Sequence, residues 1–398
     1  MSKKLLKGNL GIICLSYFIA GISLGMLRVN IQPFVLSLGA SMSIVGVLEA
    51  IGGYHGIMAT FVQPIAGQAS DAKGRKVFLI FGSLCAATAI TLNIVASYFK
   101  CWMLLILAMF FLGLYIGVSS PARDSIIAES VKAEDLGFAY SMFTFFTLIP
   151  GLFAPMIGGY LSYNFGYAFL FYVCLVVQAL SLILIFAVKE TLYVKKKTEP
   201  PRVNPFSSTK DPVANAKLRK LYLIIALDGF SWNVSFAILF GLLSKTYNFS
   251  TFQLGIMSSI SSFSAICFQL PIGMLIRKFD CKIFMFISEV IGVVLMTGWL
   301  MSTTFEVFAA LHFLMGIVIT TWAPVVKTLV VSSFAGEKAE ALGKIAFFSG
   351  ITSFPAPYIG GFLYDMFGFK APISVGLAGV VLTSVLIMFW IPGHRLQK

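Results

Sequence analysis

Two stretches of this chain carry nearly the same words 202 residues apart: Ala154-Pro155-Met156-Ile157-Gly158-Gly159 and Ala356-Pro357-Tyr358-Ile359-Gly360-Gly361, each running on to a Phe-Gly pair, Phe165-Gly166 and Phe367-Gly368. Eight of the fourteen aligned positions, 154–167 against 356–369, are identical. An internal copy offset by half of 398 residues implies that one structural unit was duplicated. The surrounding composition fixes the medium. With 58% hydrophobic and 11% charged residues, this chain is too apolar to stay soluble as a globule. In a bilayer each backbone N–H and C=O must find its partner inside the protein, and in runs this apolar and this long that means helices.

At about 20 residues per crossing, the apolar runs fall near 9–33, 42–66, 76–97, 102–129, 137–163, 166–188, 218–245, 252–276, 283–303, 305–333, 341–365 and 369–391. The expected fold is therefore an all-α membrane protein of twelve transmembrane segments in two pseudo-symmetric six-helix bundles, 1–188 and 218–398. Residues 189–217 join them. Lys195, Lys196, Lys197, Pro200, Pro201, Arg202, Pro205, Lys210 and Pro212 make this stretch basic and helix-breaking, which reads as a cytoplasmic linker.

Lysine and arginine set the orientation, because positive flanks are retained in the cytoplasm. Placing the N-terminus inside puts 23 of them on inside segments and only Lys100, Lys245 and Lys370 outside. Both termini are thus expected in the cytoplasm of a multi-pass protein of the cell (plasma or cytoplasmic) membrane. The net charge of +13 is a topology signal with a possible contact to anionic lipid, not a nucleic-acid footprint. The run after Lys7 is long and lacks a small-x-small cleavage site, so it reads as the first segment and not as a removed leader.

The six cysteines are scattered without a C-x-x-C pair, and His55, His312 and His394 stand far apart. The cysteines read as small packing residues and the histidines form no ligand-spaced set, so no metal or other cofactor is implied. No nucleophile–base–acid set emerges, which argues against an enzyme.

The sharpest motif follows segment 2: Gly67-Gln-Ala-Ser-Asp71-Ala-Lys-Gly74-Arg75-Lys76. Gly67 allows close helix approach, Gly74 permits a tight turn, and Asp71 sits beside basic Arg75 and Lys76. This loop resembles the signature of the major facilitator superfamily, Gly-x-x-x-Asp-x-x-Gly-Arg-Lys/Arg, with the spacing intact. The resemblance implies the twelve-helix fold of that family, transport by alternating access, and a loop that holds the cytoplasmic gate shut. It also implies that Arg75 pairs with an acid on segment 4, Asp124 first and Glu129 second. Segment 11 begins on the same face, so its positive N-terminal end is expected to receive Asp71. The second half keeps a worn copy, Gly273 through Arg277 and Asp280 to Lys282.

The Ala-Pro-x-Ile-Gly-Gly words resemble the segment 5 motif of the drug:proton antiporter branch of that family, with Ala154 and Pro150 where that motif has glycine. Because both halves carry them, Pro155, Gly158, Gly159, Pro357, Gly360 and Gly361 read equally as a helix-packing device. Met109 stands where the branch places an arginine on segment 4.

Charge inside a span is costly and points to function. Arg28 and Glu49 are expected at similar depth, as an ion pair or a substrate or proton site. Asp228 and Lys327 form a second set. The resemblance implies that Arg28, Arg123, Asp124, Asp228 and Lys327 face the transport path or its gates. The cost of charge in a span makes Asp228 or Glu49 the expected proton acceptor. Glu289 and Asp365 read as interfacial groups. Trp232, Asn233, Phe236 and Trp322 are expected to line a cavity suited to an amphipathic small molecule. Proton-coupled export of such a compound by a monomer is the expected function. The alternatives are proton-coupled uptake of an organic acid, amino acid or other metabolite, and a non-transporting membrane sensor. One measurement checks the topology: cysteines introduced by Ser2→Cys and Gln397→Cys, in a background free of other reactive thiols, should both react only with reagent admitted to the cytoplasmic side.

Overall fold

The computed structural model describes residues 8–53, 56–132, 135–191, 216–276, 278–333 and 347–391. Most of the linker, Arg277, and the start of the expected segment 11 lie outside them. All regular structure among the described residues is helical.

The first half contains α1 (Asn9–Ser37), α2 (Met42–Gly52), α3 (Ile57–Lys73), α4 (Arg75–Phe99), α5 (Leu104–Glu129), α6 (Leu136–Leu148) and α7 (Ala154–Phe186). The second holds α8 (Ala216–Ser235), α9 (Leu239–Tyr247), α10 (Thr251–Ile276), α11 (Cys281–Met301), α12 (Phe305–Ser333), α13 (Ala356–Phe367) and α14 (Lys370–Trp390). Helical residues 347–353 precede α13. Among the described residues, ten runs are long and apolar enough to cross a membrane.

One of the ten runs, Leu136–Phe186, spans 51 residues, far more than a single crossing needs. Its partners along α1 show how it divides. Phe143 packs on Tyr17, Pro150 on Gly21, Ala154 on Gly25 and Gly158 on Met26, so this part runs parallel to α1. Beyond Gly166 the order inverts. Cys174 meets Ser23, Ser181 meets Ser16, and Lys189 exchanges two backbone bonds with the Asn9 side chain. The chain has doubled back. The reversal sits at Gly166, whose φ of 83° and ψ of 166° suit only glycine. Gly368, its copy, adopts φ 80° and ψ −172°. The duplicated words therefore specify a duplicated backbone.

The second half repeats the scheme. Tyr222 packs on Phe348, Val234 on Gly360, and Thr246 on Tyr364, in parallel. Ser235 then lies by Gly376, Ser231 by Gly379 and Lys220 over Trp390, in the reverse sense.

The described residues group into two compact units, each holding most of one half of the sequence. Residues 41–50 belong with the second unit and Ser250–Gly255 with the first. The glycine pairs explain why. A Cβ on Gly46 would collide with the Pro357 carbonyl, and one on Gly361 with that of Met42. Likewise Gly255 abuts the Pro155 carbonyl and Gly159 that of Thr251. The other glycine of each pair turns to its own half: Gly158 lies on Met26 of α1 and Gly360 on Val234 of α8. Lipid tails are as apolar as side chains, so such helices hold together through close contact and polar pairs.

Gly67 differs. Its nearest neighbour would be Pro121, at an ordinary 3.5 Å. Gly158→Ala should therefore cost about 1–3 kcal/mol by overpacking against the α1 backbone. Gly67→Ala should be neutral or stabilising, because alanine favours a helix over glycine by about 1 kcal/mol. Thermal unfolding of the two purified variants checks the contrast.

Candidate functional site

The motif loop is a charged network within the first unit. Gly74 ends α3 and begins α4 with φ 99°, a left-handed conformation that suits glycine. The turn brings Arg75 back toward Asp71, with Nη2 3.0 Å from Asp71 Oδ1. Arg75 Nη1 lies 2.6 Å from Glu129 Oε2 at the end of α5. The segment 4 partner is thus Glu129, and Asp124 does not take that place. Arg75 is the first residue of α4, and its antiparallel neighbour α5 runs out at Glu129. Asp124 lies five residues earlier, about 7.5 Å deeper along the helix.

Two further groups complete the network, and the motif did not announce them. Glu190 Oε2 accepts from the Lys76 backbone N–H at 3.0 Å, and Thr191 Oγ1 donates to Glu129 Oε2 at 2.6 Å. Lys76 Nζ donates to the Phe186 carbonyl at 2.7 Å. The second half preserves this last contact, Lys282 Nζ to the Met388 carbonyl at 2.7 Å, with Asp280 capping α11. The partner expected for Asp71, the start of segment 11, falls outside the described residues, as does Arg277.

Asp124 belongs to another station. Arg123 Nε donates to Asp124 Oδ1 at 2.8 Å, and its guanidinium lies 4.7 Å from the Phe143 ring centre and 5.3 Å from that of Tyr17. Tyr140 donates to the Asp124 carbonyl at 3.0 Å. Arg123 is thereby held by one carboxylate and two aromatic faces, an arrangement that suits guanidinium better than ammonium.

In the second unit Asp228 is buried, at 5% exposure, and its carboxyl faces that of Glu289 on α11. Glu289 is 1% exposed. The interfacial reading of Glu289 is therefore corrected, because α11 turns that residue inward onto α8. Lys327 is exposed on α12, and Arg28 is exposed on α1, while Glu49 is half-buried. The Asp228 side chain thus meets an acid, not a base.

Trp232 packs edge-on to Phe236, which stacks on Trp299. Trp232 also fills the space beside Gly292. Asn233 turns its amide back to the Gly229 carbonyl at 2.7 Å, and Trp322 packs on the apolar cluster of Ile225 and Val326. Asp365 is likewise more than interfacial. It accepts from Met42 N–H at 3.2 Å, Ser43 N–H at 2.7 Å and Ser43 Oγ at 2.6 Å, with Lys245 Nζ 3.5 Å away. It caps the start of α2, where a carboxylate is favoured by the free N–H groups. The corresponding joint in the first unit uses hydroxyls instead: Ser162, one residue before the counterpart of Asp365, donates to Thr251 Oγ1 at 2.7 Å, and Thr251 to the Gly159 carbonyl at 3.0 Å.

No set of three or more potential metal ligands occurs among the described residues. All six cysteines are free, with Cys14, Cys85, Cys174 and Cys281 buried.

A duplicated helical bundle, a charged loop at the turn between α3 and α4, and buried carboxyls within apolar spans together define a multi-pass membrane transporter. The family model described as Major Facilitator Superfamily matches residues 13–221 and 221–398. The chain belongs to that superfamily, and it is a transporter, not an enzyme. It is 24% identical over 390 residues to the multidrug resistance protein MdtG of Salmonella schwarzengrund (strain CVM19633), covering 96% of this chain and 94% of that protein. Among solved structures it is similar to the nucleoside transporter NupG, with a TM-score of 0.77 at 14% identity over 96% of this chain and 98% of that one. A D-xylose-proton symporter gives 0.66 at 17% identity, over 98% and 97%.

The network predicts a double-mutant result. Arg75→Ala and Glu129→Ala should couple by about 0.5–1 kcal/mol in thermal stability. Arg75→Ala and Asp124→Ala should be additive. Coupling on the second pair instead of the first would contradict the assignment of Glu129.

Proposed function

We propose that this protein exports small amphipathic molecules across the cell membrane in exchange for protons, acting as a monomer with both termini in the cytoplasm. The observation that carries the export reading is the likeness to multidrug resistance protein MdtG along 96% of the chain. Likeness to NupG and to the D-xylose-proton symporter, at 14% and 17% identity, bears on the fold alone and does not weigh on direction. Proton coupling is supported by a carboxyl at Asp228 buried within an apolar span, where an unpaired charge is costly and a bound proton removes the cost.

In this reading the loop of Gly67, Asp71, Gly74, Arg75 and Lys76, tied to Glu129, is the gate element. Its ion pairs are strong enough to hold one state and weak enough to be exchanged. Arg28, Glu49, Arg123, Asp228 and Lys327 serve substrate or proton binding. Trp232, Phe236 and Trp322 supply apolar surface to an amphipathic substrate. A substrate bound more tightly by one of two conformations, and a proton by the other, is sufficient to couple their movements.

The test uses inverted vesicles loaded with a pH-sensitive dye and energised to an acid interior. An exported compound should dissipate the gradient when added, and collapsing the gradient should stop its accumulation. Asp228→Asn and Glu49→Gln should each reduce gradient-driven flux about tenfold or more. Full flux in both would exclude these carboxyls as the coupling groups. Compounds that build the gradient up, or that move only with it toward the cytoplasm, would point to uptake.

A further inference from the structure

Among the described residues of the second unit, Glu289 is 1% exposed, and neither of its carboxyl oxygens has a hydrogen-bond partner. Oδ1 of Asp228, at 5% exposure, is equally unpartnered. Three orphan carboxyl oxygens thus lie inside one bundle, where polar groups are almost always satisfied.

The helix register brings them together. The Trp232 ring rests against Gly292, its Cζ2 atom 2.8 Å from where a Cβ would sit. Asp228 precedes Trp232 by one turn of α8, and Glu289 precedes Gly292 by about one turn of α11. The two side chains therefore meet on the same level. The two carboxyls adjoin each other, each bearing on the other's charge, with the Trp232 indole beside Asp228.

No described cation faces this pair. Helix α14, packed against both α8 and α11, has no charged residue after Lys370, and Thr383 and Ser384 spend their hydroxyls on its own backbone. On α12, Lys327 is exposed and Glu306 stands at the far end of the helix. His312 bonds the Phe308 carbonyl and packs beside Trp299, ten residues from Glu289 and so about 15 Å along α11. On α13, Tyr358 is exposed, Tyr364 bonds Thr246, and Asp365 is held by Ser43 and Lys245. Along the two helices themselves, Lys220 covers Trp390, Lys282 bonds the Met388 carbonyl, Arg219 is exposed and Tyr222 packs on Phe348.

An ionised carboxylate only accepts hydrogen bonds, so two of them in contact repel and leave every oxygen unsatisfied. A proton on one turns it into a donor to the other. We propose that Asp228 and Glu289 form a single proton-binding site, a carboxyl dyad that holds one proton between its members and binds a second during the transport cycle. The dyad titrates as a unit. Binding the second proton changes its charge from −1 to 0, and release to the other aqueous phase restores it. Removing the charge abolishes the penalty of packing α8 on α11 through apolar surroundings, which gives protonation a handle on the position of α8. As a coupling device the dyad rests on the proton-exchange reading above; as a proton site it does not.

Infrared spectra of the full-length protein in lipid nanodiscs, without substrate, recorded at about pH 5 and about pH 9 and compared with those of the variants, test it. A protonated-carboxyl C=O band, sensitive to D2O exchange, should persist at the alkaline end. Both Glu289→Gln and Asp228→Asn should remove it, and Glu289→Asp should retain a displaced band. A purely structural role for Glu289 would not move that band. Its absence from the unaltered protein, or its survival unchanged in Glu289→Gln, would overturn the dyad. Gradient-driven flux measured on the same preparations keeps the two readings apart. Flux without the band sinks the dyad and spares proton exchange, and the band without flux does the reverse.

Discussion

Helices in lipid gain nothing by hiding apolar surface from one another, so this fold depends on backbones that touch. The duplicated Ala-Pro-x-Ile-Gly-Gly words supply that contact twice. In each copy one glycine seats α1 or α8, and the next seats a short piece of a helix from the opposite half of the sequence. Dispersion at sub-ångström fit, not hydrophobicity, makes these joints hold. A single methyl group at Gly158, Gly159, Gly360 or Gly361 would strike main chain, which cannot move aside as a side chain does. The reversal at Gly166 and Gly368 then returns the chain along the same helix that the motif has just packed on.

Onto this symmetric frame the charges are laid asymmetrically. In the first unit each acid named as functional meets a base: Asp71 and Glu129 share Arg75, and Asp124 holds Arg123. The second unit places Asp228 against Glu289 instead. Ion pairs at helix ends are worth little individually and exchange readily, which suits a gate. A buried like-charge pair is expensive unless a proton resides there, which suits a switch. Duplication gave the two halves one scaffold, and divergence placed ion pairs in one copy and a facing pair of carboxyls in the other.

Much of this was legible beforehand. The helical class, the repeat, the turn at Gly74 and the involvement of Arg75 all follow from local pattern, because each depends on a residue and its near neighbours in sequence. Glu129 was legible only as a second choice. Choosing it over Asp124 requires knowing where α5 stops relative to the first residue of α4, and that register is set by Gly52 and Gly113 packing between α2, α3 and α5. Glu190 and Thr191 escaped notice for a similar reason. They lie more than a hundred residues from the motif, and no spacing rule links them to it. Glu289 was misjudged because helical rotation decides whether a residue on an outer helix looks toward lipid or toward its neighbour.

The sequence by itself determined the medium, the helical class, the twofold internal plan and the family, since these are written in hydropathy, repetition and one contiguous loop. Only the tertiary structure decided which carboxyl meets which partner. Helix propensity and apolar content are properties of each segment alone, whereas the facing of two side chains depends on the rotation and axial offset of two helices. Those are fixed by contacts far apart in the chain, here the seating of Trp232 on Gly292.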